Sequence, residues 1–495
     1  MIKPQFENYR YVGEVCRIKS QSIVECRLPG SEINGILAVH AKAVPTESSC
    51  ADGEVPYGGK VFLCVVYEDG DRKICRAERG VEFFHKAENA LISPACFAKT
   101  ALSAENITWR REGSGLYISI VVDANITVYG SKQMEYLAGG EGLIVKKGTS
   151  SLSKTICVSG ETEGEDEFDT DYMGDVLLHS ETAIVNRVHA VSGQIDIEGE
   201  MSLHICVLKS DESVCSYERI IPFKMSVPSE EAFGKVCAGA KVTVVSARLT
   251  ADADEEKGAS RVVFSYGLSA ECYLCVQEEL SIAEDAFSVK EKIDLKKQKE
   301  GGRYLTNCSK HTERISGSAL LSPEIDGEYA LQSAVLPRAE INIRKGDRGM
   351  EAEGAILSEV LLRSGEGSYR TATLSLPFAF PIDVDGEEAE AECMVCGLNI
   401  RRKKNGETEA EATLRMSVRS YEHRQWEYVN EVIEGEVYEE EEHAFSVFMT
   451  NAGEELWDVS KRLSCPPEEL QKSNPNLAFP LKEGQRIFVY RQIKD

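Results

Sequence analysis

No stretch of this 495-residue sequence approaches the roughly 18 consecutive apolar residues that a bilayer-spanning helix requires, so membrane insertion is not expected. The opening MIKPQFENYRYVGEVCRIKSQ has no continuous apolar run and no small-residue cleavage site, which leaves it without the features of a secretory signal and points to the cytoplasm. Basic residues are outnumbered, 56 Lys and Arg against 82 Asp and Glu, and a formal charge of −26 repels phosphate backbones and anionic lipid. Nucleic acid is not an expected partner.

The signatures of common enzymes are missing too: there is no G-x-x-x-x-G-K-[ST], no G-x-G-x-x-G between strand and helix, no G-x-S-x-G and no H-E-x-x-H. No catalytic residue and no cofactor is assigned. The eight histidines show no paired metal spacing, and the sixteen cysteines lack the dense regular spacing of a disulfide scaffold, which suits reduced and mostly buried thiols. Two C-x-x-C pairs, Cys272/Cys275 and Cys393/Cys396, sit in predicted strands, where positions i and i+3 point to opposite faces. They are not expected to converge on one metal ion.

The chain has 42% hydrophobic and 28% charged residues, enough apolar surface to fold, and it exceeds the about 250 to 300 residues at which one core stops growing. Several domains are expected. Strict alternation marks half-buried strands: Ile120, Val122, Ala124, Ile126 and Val128; Phe264, Tyr266, Leu268, Ala270, Cys272 and Leu274; Ala412, Leu414, Met416 and Val418. The fold class expected is mainly β.

Landmarks recur along it. Apolar strands that run into acidic or glycine-bearing turns, VFLCVVYEDGD, MSLHICVLKSDES and AILSEVLLRSGEG, are each followed by a strand with a phenylalanine, Phe84, Phe223 and Phe378, and then by Cys96, Cys237 and Cys393. The phenylalanines are spaced 223−84 = 139 and 378−223 = 155, the cysteines 237−96 = 141 and 393−237 = 156. Two landmark types in near register predict three tandem sandwich-like domains, 1–155, 156–300 and 301–436. Polar runs beginning at Gly160, Lys290 and Glu434 mark soft boundaries, and the acidic stretch 437–442 is expected to be a solvated linker to a last domain, 443–495.

That last domain changes period. After a short strand at Phe445 to Phe448, Gly453 turns the chain into a helix with Leu456, Val459 and Leu463 on one face. Pro466 and Pro467 suit the first turn of a second helix, Leu470 faces inward, and Asn474-Pro475-Asn476 ends it. Arg486 to Tyr490 closes a β-α-α-β order.

These residues closely resemble a LysM domain: the turn Gly453-Glu454-Glu455-Leu456-Trp457 where the family has Gly-Asp-Thr-Leu-Trp, then Glu468-Glu469-Leu470, Asn474-Pro475-Asn476-Leu477, and Pro480-Leu481-Lys482-Glu483-Gly484-Gln485 before the last strand. LysM domains commonly bind N-acetylglucosamine-containing glycans in a groove between these two loops. Here the Asp-Thr pair is Glu454-Glu455, and a second carboxylate under a neutral sugar requires desolvation, which shifts the expectation towards a protein partner. The order of three β-rich repeats, acidic linker and LysM resembles the spore coat assembly proteins of clostridia and relatives, which carry repeated SPOCS domains ahead of LysM. The resemblance implies a non-enzymatic scaffold made in the mother cell and recruited to the forespore surface, binding a SpoIVA-like coat morphogenetic ATPase partly through LysM. Peptidoglycan binding, anchoring the chain to cortex or wall, is the alternative. Candidate binding residues are Gly453, Glu454, Glu455, Trp457, Asn474, Pro475, Asn476, Leu477 and Leu481.

Overall fold

The computed structural model describes all residues except 1, 30–32, 47–48, 114, 171–173, 235, 255–257, 324–328, 348, 404–406, 439–444 and 491–495. It is mainly β. A first set of six strands comprises β1 (Lys3–Leu28), β2 (Ile33–Pro45), β3 (Glu54–Asp69), β4 (Ile74–Glu88), β5 (Phe97–Glu112) and β6 (Gly115–Glu141). A second comprises β7 (Ile144–Asp169), β8 (Gly174–Val191), β9 (Gln194–Lys209), β10 (Val214–Pro228), β11 (Cys237–Asp254) and β12 (Ala259–Phe287). The third is β13 (Glu291–Ser322), β14 (Tyr329–Gly346), β15 (Gly349–Ser364), β16 (Tyr369–Ile382), β17 (Glu388–Arg402) and β18 (Thr408–Val437). A cap follows: β19 (Phe445–Met449), α1 (Leu456–Arg462), α2 (Pro467–Ser473) and β20 (Arg486–Tyr490).

The three sets share one topology. Each pairs its first, sixth and fifth strands in one antiparallel sheet, β1-β6-β5, β7-β12-β11 and β13-β18-β17, and its three middle strands in a meander, β2-β3-β4, β8-β9-β10 and β14-β15-β16. In the third set, Leu320 to Ser322 of β13 also pair with β16, which joins its two sheets into six strands. Alternation drives each pair of sheets together: Ile118, Ile120 and Val122 of β6 pack with Val61, Leu63 and Val65 of β3, and Leu268, Ala270 and Cys272 of β12 pack with Leu203 and Ile205 of β9. The faces left over carry the polar partners of the pleat.

Register corrects the sequence landmarks in detail. Phe83, not Phe84, lies opposite Gly59, as Phe223 lies opposite Gly199 and Phe378 opposite Gly354. The spacings become 223−83 = 140 and 378−223 = 155. Phe83 packs inward, whereas the neighbouring Phe84 is 77% exposed, because adjacent residues of a strand face opposite ways. At all three glycines a Cβ would sit within 2.5 Å of a neighbouring strand's carbonyl oxygen, that of Val44, Ile184 or Glu340, so close strand approach explains the residue type.

The turns after β3, β9 and β15 agree to the atom: Arg72, Glu212 and Gly367 occupy the left-handed position, and each donates its N–H back to the carbonyl of Asp69, Lys209 or Ser364. The cysteines do not follow this register. Cys96 precedes β5, Cys237 opens β11 and Cys393 lies inside β17. The polar run at Gly160 is strand, within β7, whereas the run at Lys290 begins in the connection between β12 and β13 and continues as β13. Glu161, Glu163, Glu165 and Glu167 are the exposed face of β7, with Phe168 turned inward near its end, so acidity there reflects one wet face and not a linker. The expected limits at 155 and 300 fall inside these two strands, and residues 439–442 of the acidic stretch lie outside the described residues.

The three sets meet at a shared apolar junction. Bulges in the first meander strands, between Ile36 and Ala38, between Val176 and Leu178, and between Val335 and Arg338, leave Leu37, Leu177 and Leu336 out of the ladder. A bulge re-aims its side chain, and here all three leucines are buried in one cluster. They are joined there by the equivalent Val66, Cys206 and Leu361, and by Ile74, Val214 and Tyr369. Elsewhere the long hairpins β1/β6, β7/β12 and β13/β18 pack against one another through Tyr11, Met134, Leu152, Ile282, Tyr304 and Trp426.

Polar groups cross these boundaries as well. Buried Arg419 of β18 reaches the Ala240 carbonyl of β11 and Glu392 of β17, at 3.3 Å each, and Glu390 takes Arg17 of β1 at 3.0 Å and Arg303 of β13 at 2.8 Å. Between the first two sets, the buried Glu181 carboxylate accepts from Lys42 at 2.7 Å and bonds to His179. His40 stands beside them. Burial lowers its pKa to about 4, while Lys42 and His179 hold the Glu181 carboxyl at about 2.

Two expectations follow. Leu37→Ala, Leu177→Ala and Leu336→Ala should each cost about 2–4 kcal/mol, read as a loss in urea midpoint of similar size at the three equivalent sites, because each opens a cavity in the common junction. A neutral His40 in the folded state means that the unfolded chain takes up the extra proton. Stability should therefore fall by up to about 3 kcal/mol as pH drops from about 6.5 to about 4. Glu181 adds a separate loss below about 4.5, as pH falls towards its folded value. Urea midpoints measured across pH should show the upper window shrink in His40→Gln while the lower one persists.

Candidate functional site

The cap holds every residue that the sequence nominated. Its two strands pair from Phe445 with Tyr490 to Met449 with Arg486, and both helices pack on one face of this ribbon. Val459, Leu463, Cys465, Leu470, Leu481, Ile487 and Val489 form the core, with Leu456 and Leu477 at its margin. The spacing of Leu456, Val459 and Leu463 thus produced the buried helix face it predicts. Glu455 caps α1 in a reciprocal box with Asp458, and its own N–H donates to the Asp458 carboxylate at 3.0 Å. Pro467 opens α2, where its missing N–H removes no helical bond.

The two nominated loops lie side by side. Gly453 donates its N–H to the Leu481 carbonyl at 2.8 Å, and Leu481 returns a bond to the Glu454 carbonyl at 2.9 Å. Gly453 has φ of +85°, a left-handed conformation that glycine adopts without strain. The surface that these loops present consists of exposed Gly453, Glu455, Pro475 and Asn476, with Leu477 half-buried.

Four nominated residues are placed differently. The Glu454 carboxylate accepts from the Asn451 backbone N–H at 2.7 Å, from its side chain at 3.0 Å and from Arg462 at 3.0 Å, so it braces the turn. Asn474 is buried: its amide donates to the carbonyls of Leu470 and Phe488 at 2.8 and 2.7 Å and accepts from the Phe488 N–H at 2.8 Å, tying α2 to β20. Leu481 is 2% exposed and belongs to the core. Trp457 points away from the loops altogether. Its indole N–H donates to Asp285 of β12 at 2.8 Å and its ring meets Phe287 edge-on, with centroids 5.2 Å apart.

A second surface went unnoticed in the sequence. On the ribbon face opposite the helices, Phe445, Val447, Met449, Phe488 and Tyr490 are all exposed, and Phe445 stacks on Phe488 at 5.7 Å. The alternation of FSVFM and RIFVY carries this signal, since each strand has apolar residues on both faces. Among the described residues no group of three or more His, Cys, Asp or Glu is placed to hold a metal ion. The C-x-x-C thiols separate as strand geometry requires: Cys272 lies in the second sandwich core and Cys275 among the long hairpins, while Cys393 lies against the third sandwich core and Cys396 against Ile184. Among the described residues no helix is long and apolar enough to cross a membrane.

Because the Asn474 side chain satisfies three backbone groups at once, Asn474→Ala should destabilise the cap by about 2–4 kcal/mol. Hydrogen exchange at the Phe488 amide should accelerate correspondingly while amides of the β9 core keep their protection. Comparison of the chain with protein-family models, with curated proteins and with solved structures finds no match in any of the three.

Proposed function

We propose that the chain is a non-enzymatic scaffold of endospore coat assembly whose C-terminal cap acts as a LysM domain and docks a coat morphogenetic ATPase of the SpoIVA type. The observation that carries this reading is the cap itself. Its β-α-α-β order and the interior placement of Val459 and Leu470 agree with the resemblance to LysM, and the bond from Gly453 to Leu481 holds the two motif loops together. In this reading the three strand sets correspond to SPOCS-type repeats that space and present the cap from a mother-cell protein on the forespore surface. A protein partner is favoured over a sugar by the chemistry of the turn. Glu454 is engaged by Asn451 and Arg462, and the exposed Glu455 adds a charge where a neutral glycan would have to cover it.

Peptidoglycan binding is the second reading, favoured by the exposed rings of Phe445, Phe488 and Tyr490, of which Phe445 and Phe488 stack and offer aromatic surface for packing against sugar rings.

Affinity capture from sporulating cells separates the two. The full chain should retain the coat ATPase, and a chain lacking residues 443–495 should lose at least ten-fold of it while its remaining strands melt as before. Undiminished capture would overturn the docking role of the cap. Saturable co-sedimentation of the purified chain with insoluble peptidoglycan, lost on the same deletion, would establish the second reading instead.

A further inference from the structure

The exposed side of α1 is already occupied, by this chain. Trp457 and Lys461 are four residues apart and share one helix face, away from the Val459 and Leu463 face that builds the cap core. Both reach one carboxylate: Asp285 Oδ2 accepts from the Trp457 indole N–H at 2.8 Å, and Oδ1 accepts from the Lys461 ammonium at 2.6 Å. Asp285 Oδ1 also takes the Ala286 N–H at 3.0 Å, which fixes the side chain towards the helix. A register shift between Ala283 and Asp285 marks a bulge just before this point, and bulges turn the following side chains. Beyond it Asp285 and Phe287, two apart in extended chain, aim the same way, so the Phe287 ring meets the Trp457 ring while the carboxylate meets both donors.

The α1 face thus offers an indole N–H, an ammonium and an aromatic surface, and what lies on it shows the chemistry it accepts. We propose that this face is a recognition surface for an extended segment bearing a carboxylate two residues before an aromatic ring, that Asp285-Ala286-Phe287 fills it in cis, and that a partner segment of the same chemistry takes it over. The contact is suited to exchange. It is small, one carboxylate at 23% exposure paired with Lys461 at 45% and one ring pair in which Phe287 is buried, so a segment that brings the same two groups can replace it group for group. The inference rests on reading the cap as a protein-docking module, and it adds that a partner using α1 must compete with the second strand set.

The test uses the purified full chain labelled with 5-fluorotryptophan and observed by fluorine NMR, the Trp457 signal being identified from Trp457→Phe. In Asp285→Ala/Phe287→Ala the Trp457 signal should move to a solvent-exposed position, while those of Trp109 and Trp426 stay in place and report an intact fold. Adding a synthetic peptide of residues 281–289, SIAEDAFSV, should return the Trp457 signal towards its original position. A peptide with Asn for Asp and Ala for Phe should not. The unsubstituted chain should require at least ten-fold more peptide, because its own segment competes. If the strand variant disturbs the Trp426 signal, Asp285→Ala alone, which leaves the α1 face intact, should shift the Trp457 signal in the same direction and the same peptide should return it. An unmoved Trp457 signal in a folded variant, or one that SIAEDAFSV leaves unchanged at millimolar concentration, overturns the proposal. Because the readout needs no cell extract, it can fail while the coat-scaffold reading stands, and the reverse.

Discussion

The junction of Leu37, Leu177 and Leu336 is the constraint on which the architecture depends. A sandwich of two three-stranded sheets buries its inner faces but leaves the ends of its meander uncovered, and an exposed apolar corner must be buried against something. Each set solves this in the same way: a bulge takes one leucine out of the ladder and points it at the corresponding leucines of the other two. One set alone would present that leucine to water. The three sets therefore stabilise one another, and the buried Arg419 and Glu181 networks add a requirement for correct alignment, since a buried charge without its partner is costly.

The same logic of borrowed surface extends to the cap. Its small core, closed by Asn474 between α2 and β20, holds the motif residues in place. Two faces lie outside that core: the α1 face, engaged by Asp285 and Phe287, and the outer ribbon face, where five large apolar side chains are exposed. In the proposed reading, a docking module that rests on its own scaffold would couple partner capture to release from β12.

Much of this was legible in the sequence where one physical signal dominated. Period-two alternation marked β6, β12 and β18 because one face of each is buried and the other is not, and period 3.6 marked α1 for the same reason. Legibility failed where two signals overlapped. In VEFF both Phe83 and Phe84 are apolar, and only the pleat decides which is inside. The polar run from Gly160 read as a soft boundary, although its glutamates form one wet face of a strand whose other face is covered. Trp457 read as a binding residue of the turn, and its partner lies 172 residues away on a different element.

By itself the sequence determined the local grammar: which segments are strands, that a set of them recurs about every 140 to 155 residues, and that the chain closes on two short helices between strands. These follow from residue-to-residue periodicity and turn chemistry, which act within a few positions. Only the tertiary structure decided which leucines leave their ladders to meet at the junction, which glycines yield to a neighbouring carbonyl, and which face of α1 meets β12. Each of those depends on contacts between residues far apart in sequence, where a shift of one position turns a side chain from the core to the solvent.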